Sequence, residues 1–323
     1  MNTFMHSSSI AWFEDSLYLA FYICEKEGWS QRVVILKKED DQWTFCRMFE
    51  PGTGNPVLFV WKDELYIALT KFRPETEELV NVHILWAHVD YHIYAVSFGT
   101  SGSPPHAMYP YVAGRIAPLQ CDSRLLLPCY DEGLGTSLIL FIDNSFISSG
   151  NLRRHSLIKS GIRNIQPTLF SNTEGKLCLL TRDFAVGFNG KAKGEVGFGI
   201  YSKEERIWRF GGSGIPNYND SILAIPRDGE LPVLVYNQSQ SRTNLVLVNM
   251  CEQKEIMILT DEKYPYGSYP NYCYLPEEEL AICYTVYSDR FGREKSIKIS
   301  YFNSKIEWQR QEVIDAELVN SLT

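Results

Sequence analysis

The sequence predicts an all-β protein, a six-bladed β-propeller with four-stranded antiparallel blades. Two observations carry this: an apolar strand segment that recurs six times along the whole chain, and the near absence of helical periodicity between its copies. The segment opens on a polar residue, continues with Leu and ends on a polar or aromatic residue. It occupies residues 16–22, 64–70, 124–130, 176–182, 230–236 and 279–285. Its leading residues are Leu17, Leu65, Leu125, Leu177, Leu231 and Leu280, at steps of 48, 60, 52, 54 and 49 residues. Four short strands and their turns fill such a period.

Each copy is flanked by the rest of a blade. A short strand precedes it, opened by X-Pro at Asn55-Pro56, Gln166-Pro167 and Tyr269-Pro270, with Ala117-Pro118 as a looser version. Proline is tolerated at the first residue of a strand, where it gives up no ladder hydrogen bond. A third strand follows, at 32–36, 82–86, 137–141, 196–201, 244–248 and 296–301, and then a shorter fourth, as at 44–49 and 255–259. A solenoid would show capping repeats, and a doubly wound α/β fold would show helices between strands. A helix is expected only at 312–320. No linker or low-complexity tract interrupts the pattern, so residues 1–323 read as one domain.

Composition sets the outer limits. Of 323 residues, 45% are hydrophobic and 22% charged, enough to bury a sizeable core. The 13% aromatic share argues against disorder, and a net charge of −8 excludes a broad basic face for duplex nucleic acid. No apolar run approaches the ~20 residues of a membrane-spanning helix. Residues 1–12 lack a basic region followed by a long apolar stretch, so no secretory signal is read and a cytoplasmic location is expected. The eight cysteines form no C-x-x-C pair and sit mostly in apolar runs, where a thiol behaves as a small hydrophobe. They are expected to be free and buried.

Topology nominates the site. Strands one and two of a blade are antiparallel, so the start of one and the end of the other share a face, and all blades converge there around the axis. Strand-one starts contribute His6, Asn55, Arg115, Gln166, Asn217, Asn219 and Tyr269. Strand-two ends and the loops after them contribute Glu27, Tyr130, Arg182, Asp183, Tyr236, Asn237, Arg242, Tyr284 and Thr285. Loops carry polar residues in any fold. Arg182 differs because it ends an apolar run, where an unpaired guanidinium is costly. Arg115, Arg182 and Arg242 come from blades three, four and five and could share one anion, since a guanidinium fork matches a carboxylate bidentately. The competing reading pairs each with a nearby acid such as Asp183 or Glu132.

These pieces, taken in order, carry a family resemblance. They are His6-Ser-Ser-Ser-Ile, Glu27-Gly28, Asn55-Pro56-Val-Leu-Phe, Leu126-Leu-Pro128-Cys-Tyr130 and Ile165-Gln166-Pro167-Thr-Leu. Then come Leu180-Thr-Arg182, Pro216-Asn217-Tyr-Asn219-Asp-Ser221, Val235-Tyr236-Asn237, Arg242-Thr-Asn-Leu, Ser268-Tyr269-Pro270 and Tyr284-Thr285. The chain resembles the bacterial sialidase-like propellers with BNR repeats, the predicted neuraminidases. The resemblance implies a six-bladed propeller with its site at the top centre, where arginines hold the carboxylate of a nonulosonic acid. It further implies a Tyr nucleophile assisted by a Glu, with an Asp as acid/base, the tyrosine exception among glycosidases.

Carried onto this chain, the resemblance makes Arg182 and Arg242 the carboxylate clamp, with Arg115 beside them. The candidate catalytic set is Tyr236, Tyr269, Tyr284, Glu27 and Asp183, without a choice among the tyrosines. Asn55, Gln166, Asn217, Asn219 and Asn237 would bind sugar hydroxyls. The expected activity is exo-cleavage of a terminal acidic sugar from a glycan or polysaccharide, with no cofactor and no metal. A catalytically silent carbohydrate-binding propeller and an acidic-sugar lyase are the alternatives. Two features depart from the family. The box Ser-x-Asp-x-Gly-x-x-Trp keeps only its trailing Trp43, Trp208 and Trp308, and the usual opening Arg-Ile-Pro is missing.

Other motifs read as structure. His88-x-Asp90-x-His92 could offer three ligands on one strand face, but it falls in an outer turn. Gly211-Gly-Ser-Gly214 lacks the Lys-Ser/Thr and helix of a phosphate loop and is expected to be a loop. The acidic stretches 75–78 and 277–279 are expected to be solvated turns.

Overall fold

In a computed structural model, the residues described are 4–25, 31–72, 79–86, 95–97, 112–121, 123–131, 136–142, 153–157, 164–183, 194–205, 207–217, 220–239, 241–252, 254–289 and 295–323. Almost all regular structure among them is β. The strands are β1 (Phe4–Phe13), β2 (Ser16–Cys24), β3 (Arg32–Glu39) and β4 (Gln42–Met48), then β5 (Thr53–Trp61), β6 (Glu64–Phe72), β7 (Leu79–Trp86) and β8 (Ala95–Ser97). A short β9 (Val112–Gly114) leads to β10 (Leu119–Cys121), β11 (Arg124–Asp131), β12 (Thr136–Ile142) and β13 (Arg153–Leu157). They are followed by β14 (Asn164–Ser171), β15 (Leu177–Asp183), β16 (Glu195–Ser202) and β17 (Ile207–Pro216). The last eight are β18 (Leu223–Ile225), β19 (Val233–Asn237), β20 (Leu245–Asn249), β21 (Lys254–Ile258), β22 (Tyr266–Tyr274), β23 (Leu280–Tyr287), β24 (Lys295–Phe302) and β25 (Trp308–Ile314).

Five sheets are four-stranded antiparallel propeller blades with strictly sequential order. A further, five-stranded sheet follows β10-β11-β12-β13 as its sequential path, with β9 paired to β11. The chain separates into two compact units, residues 1–117 with 270–323, and residues 118–269.

In the first unit, β2 shows why the recurring segment is apolar throughout instead of alternating. Leu17, Leu19 and Phe21 pack against Ala281, Cys283, Ile297 and Ile299 of β23 and β24. The intervening Tyr18, Ala20 and Tyr22 pack against Leu58, Leu65, Ile67 and Leu69 of β5 and β6. Both faces of the strand are interior, so both parities must be apolar. The first sheet of the chain thereby lies against the last. Lys38 adds an ion pair to Glu312 at 2.6 Å, and the Trp43 indole donates to the same carboxylate at 3.1 Å.

In the second unit, β15 is divided in the same way. Leu179 packs with Leu126, Ile139 and Leu169, while Cys178 and Leu180 pack with Ile222, Ala224, Leu234 and Val246. Outer strands lack a second neighbour and are correspondingly open, as in β17, β21 and β25.

Three expectations change. The prolines of the X-Pro pairs do not open their strands: Pro56, Pro167 and Pro270 lie inside β5, β14 and β22. For β5 and β14 the register shifts at that point, between Gly54 and Val57 and between Ile165 and Thr168. An innermost strand has a free edge, and a bulge there removes the ladder bond proline cannot make. Gly211 to Gly214 is part of strand β17, not a loop. The C-terminal helix α1 (Ala316–Leu322) starts later than expected, because residues 312–314 complete β25. Asp315 is its N-cap and accepts from the Leu318 N–H at 2.9 Å. Asp315→Ala is expected to cost about 1 kcal/mol in a denaturant titration.

The acidic run 277–279 forms a short 3-10 turn (Pro276–Glu278) with Glu277 and Glu278 exposed, as a solvated turn requires. All eight cysteines are free; Cys24, Cys129, Cys178 and Cys283 are buried, whereas Cys251 is exposed. No helix among the described residues is long and apolar enough to cross a membrane. Residues 75–78 and His88, Asp90 and His92 lie outside the described residues.

Candidate functional site

Register places the nominated positions as the topology requires. Asn164 pairs with Asp183 and Ile165 with Arg182, so the start of β14 and the end of β15 share one end of their sheet. His6 opposite Tyr22 and Thr53 opposite Lys71 repeat this in β1–β2 and β5–β6. At that end, four residues of strand one of their sheets have a left-handed backbone without being glycine, Ser7 (φ 54°), Asn55 (45°), Gln166 (53°) and Tyr269 (54°), as do Arg242 (62°) and Asn244 (62°) in the loop after β19. Such conformations are uncommon outside glycine and cost of order 1–3 kcal/mol each, so they persist only where surroundings impose them. For two of them the surrounding group is visible. The Ser7 N–H donates to Thr285 Oγ1 at 3.0 Å, and the Tyr269 N–H donates to Ser221 Oγ at 3.0 Å.

The second unit holds the densest polar cluster, centred on Asp220. Its side chain is only 1% exposed. The Asn237 amide donates to its carboxylate and, at 2.7 Å, to the Gly267 carbonyl. Arg242 Nε lies 3.6 Å from Asp220 Oδ1, and the Arg242 guanidinium lies over the Tyr269 ring, 5.6 Å from its centroid. Asn217 fastens the backbone beneath: its amide donates to the Asp220 carbonyl at 2.9 Å and its Oδ1 accepts from the Asp220 N–H at 3.3 Å. The Arg242 carbonyl in turn accepts from the Gly267 N–H at 3.0 Å. Asn217, Asn237, Arg242 and Tyr269 are therefore brought together, around an acid that the sequence reading quoted within its motif but did not select. The signal was available: Asp220 is the one acid in residues 216–221.

In the same unit Arg182 is 7% exposed, and its Nη1 donates to Gln166 Oε1 at 3.2 Å. In the first unit Arg115 Nη1 donates to Ser7 Oγ at 3.3 Å. The Asn271 amide donates to the Arg115 carbonyl and to Ser9 Oγ, each at 3.2 Å. Asn55 is buried in β5, and His6 is buried edge-on to Tyr22 and Tyr287. The pairing of Arg242 with an acid follows the competing sequence reading, although the acid is Asp220 and neither Asp183 nor Glu132.

The three tyrosines separate. Tyr284 is fully buried and its hydroxyl is shared with Ser300 Oγ and Gln311 Nε2, both at 2.9 Å, on the outward strands β24 and β25. A phenol held there is a sheet-stabilising group, which corrects its nomination as a nucleophile. Tyr284→Phe is expected to lower stability by about 1 kcal/mol without touching ligand binding, as read by paired melts with and without sugar. Tyr236 is also buried; burial raises its pKa, opposed by a hydrogen bond with Gln238. Tyr269 alone is partly exposed with a guanidinium on its face. Glu27 and Asn219 lie outside the described residues, as does the side chain of Asp183. Among the described residues there is no group of three or more His, Cys, Asp or Glu side chains that could hold a metal ion.

Comparison with known proteins gives a family and a fold. A family model described as a BNR repeat-like domain matches residues 16–282. No curated protein sequence matches the chain. Among solved structures, an unknown-function protein from Dyadobacter fermentans superposes with a TM-score of 0.67 at 12% identity, over 89% of this chain and 92% of its own. The intramolecular trans-sialidase from Ruminococcus gnavus, in complex with oseltamivir carboxylate, gives 0.60 at 11% identity, over 98% and 95%. The GH93 α-L-arabinofuranosidase of Fusarium graminearum, in complex with arabinobiose, gives 0.62 at 12% identity, over 94% of both chains. At these identities the likeness is one of fold.

Proposed function

The chain belongs to the BNR repeat-like domain family, and on that premise we propose that it is an exo-acting glycoside hydrolase that removes a terminal acidic sugar from a glycan. The sugar would be a nonulosonic acid or a related keto-acid sugar. The six sheets would close into a single propeller spanning residues 1–323, with Arg115, Arg182 and Arg242 turned to the axis.

The observation that carries the reading is Arg182. It is a guanidinium at the inner end of a blade, 7% exposed and donating to Gln166 Oε1. Such a fork matches a carboxylate bidentately. The fold neighbours that act on glycans support the hydrolase class.

Tyr269 is the tyrosine best placed to react. Its phenol oxygen would attack the anomeric carbon while its proton passes to a carboxylate base, and the departing alcohol would take a proton from an acid. Water then cleaves the glycosyl–tyrosine bond, the phenol recovers its proton, and the net reaction is hydrolysis. Glu27 and Asp183 are the proposed base and acid. A neutral phenol suits this centre because an anionic nucleophile would be repelled by the adjacent substrate carboxylate.

A carbohydrate-binding propeller without turnover is the second reading, favoured by the Arg242–Asp220 pair, which already engages one arginine of the clamp. Thermal shifts with a panel of acidic and neutral sugars, including a 2,3-unsaturated sialic acid analogue, separate these. Selective stabilisation by acids, weakened ~30-fold or more in Arg182→Ala, is the expected result and corresponds to about 2 kcal/mol. Shifts that ignore the acid group, or survive Arg182→Ala and Arg242→Ala, would discard the clamp. Turnover lost in Tyr269→Phe with binding kept identifies a hydrolase; binding with no turnover in the wild type identifies a lectin-like protein. An ultraviolet-absorbing unsaturated product would identify a lyase instead.

A further inference from the structure

Each end of the chain completes its own sheet. Strands β1 to β4 come from residues 4–48 and β22 to β25 from residues 266–314, both in sequential order. In the first unit these two sheets lie against each other, yet no strand pairing among the described residues joins them. Contacts made by side chains hold the seam instead, at three depths. At the inner end the Ser7 N–H donates to Thr285 Oγ1, and the Asn271 amide donates to Ser9 Oγ. In the middle Leu19 and Phe21 pack with Cys283 and Ile299. At the outer strands one carboxylate is the common partner. Glu312 of β25 accepts from Lys38 Nζ of β3 through Oε1 at 2.6 Å, and from Trp43 Nε1 of β4 through Oε2 at 3.1 Å. The Lys38 and Glu312 side chains are 10% and 24% exposed, so water screens their pair poorly. The other acid of Lys38, Asp41 at 3.0 Å, is exposed and contributes little.

Trp43 is one of the three tryptophans that survive from the degenerate box. The other two make no such contact among the described residues: Trp208 Nε1 is buried without a hydrogen-bond partner, and Trp308 is exposed. We propose that Glu312 is a latch that keeps the two ends of the chain closed on each other, and that the seam it spans is where the first unit opens first. The carboxylate grips both outer strands of the first sheet, so its loss frees β3 and β4 together. Strand β25 runs on into α1, where Val319 is buried in the seam cluster and Leu318 and Leu322 pack against it. Residues 312–322 thereby form a C-terminal strap across the seam. A shared strand would have tied the sheets by a ladder of backbone hydrogen bonds. A seam of a few side-chain contacts opens by breaking far fewer, and local opening follows the boundary that is held least. Opening would also part Ser7 from Thr285, at the strand end where Ser7 Oγ accepts from Arg115. The latch does not depend on the acidic-sugar reading.

Native-state hydrogen exchange of the full-length chain tests it, read peptide by peptide by mass spectrometry. Glu312→Gln keeps the shape and an acceptor and removes the charge. Peptides from β3, β4 and β25 should then exchange about tenfold faster than in the wild type, while those from β6, in the same unit, keep their wild-type rates. Trp43→Phe loses only the indole donor and should give a smaller acceleration at the same peptides. Wild-type rates at the seam in Glu312→Gln would mean that the carboxylate fastens nothing. Acceleration of β6 equal to that of the seam would mean that the unit opens as a whole. Either result overturns the proposal. Should Glu312→Gln fail to fold, Trp43→Phe carries the same comparison between the seam and β6.

Discussion

Asp220→Ala is expected to destabilise the unit formed by residues 118–269 by about 3 kcal/mol and to abolish the selective binding of acidic sugars proposed above. The carboxylate is buried, receives the Asn237 amide and faces Arg242 Nε. Removing one partner of such a pair leaves the other uncompensated, which costs 3–5 kcal/mol when both are fully buried. The Arg242 side chain is 34% exposed, so water recovers part of that loss and the lower end applies. The second effect follows from the first, because Arg242 would lose the contact that sets it over Tyr269. Chemical denaturation and the acidic-sugar thermal shift check the two halves. Stability within 1 kcal/mol of the wild type would show that the cluster is decoration. Asp220→Asn keeps the shape and one acceptor, and should fall between.

Thr168→Val is expected to cost about 2 kcal/mol despite preserving volume, and Ser9→Ala a similar amount. Thr168 Oγ1 accepts from the Ala224 N–H at 3.1 Å and lies 3.4 Å from the Ala224 carbonyl as its donor. Ser9 Oγ accepts from the Leu58 N–H at 2.8 Å and from the Asn271 amide. Each hydroxyl satisfies a buried backbone group of the next sheet, and the substitution leaves that N–H without a partner. Each also stands two residues after a left-handed residue, Ser7 or Gln166, so bulge and inter-sheet tie form one recurring unit. Urea titrations of the single variants measure the loss; a cost below 0.5 kcal/mol would mean that water replaces the hydroxyl.

The blade pattern was legible because burial on both faces forces an unbroken apolar run, and six such runs are hard to produce by chance. The ends of β1–β2, β5–β6 and β14–β15 were legible from antiparallel pairing alone, which is why Asn55, Gln166 and Arg182 were nominated. Other features were written too weakly. An Asn-Pro or Gln-Pro pair signals a break in the ladder, but not whether the break opens a strand or bulges inside it. Tyr284 and Tyr269 look equivalent at the ends of their motifs, yet the side-chain parity of β23 sends one phenol outward to Ser300 and Gln311.

By itself the sequence determined the all-β propeller class and which strand ends lie together in β1–β2, β5–β6 and β14–β15, because these follow from local periodicity and strand pairing. Only the tertiary structure decided who partners whom. Asp220 becomes the hub of Asn237 and Arg242, and Ser7, Gln166 and Tyr269 each receive an arginine, with separations that run from 16 residues for Gln166 and Arg182 to 108 for Ser7 and Arg115. Such contacts are set by how the sheets pack and where the bulges turn a side chain, and no spacing along the sequence encodes that distance.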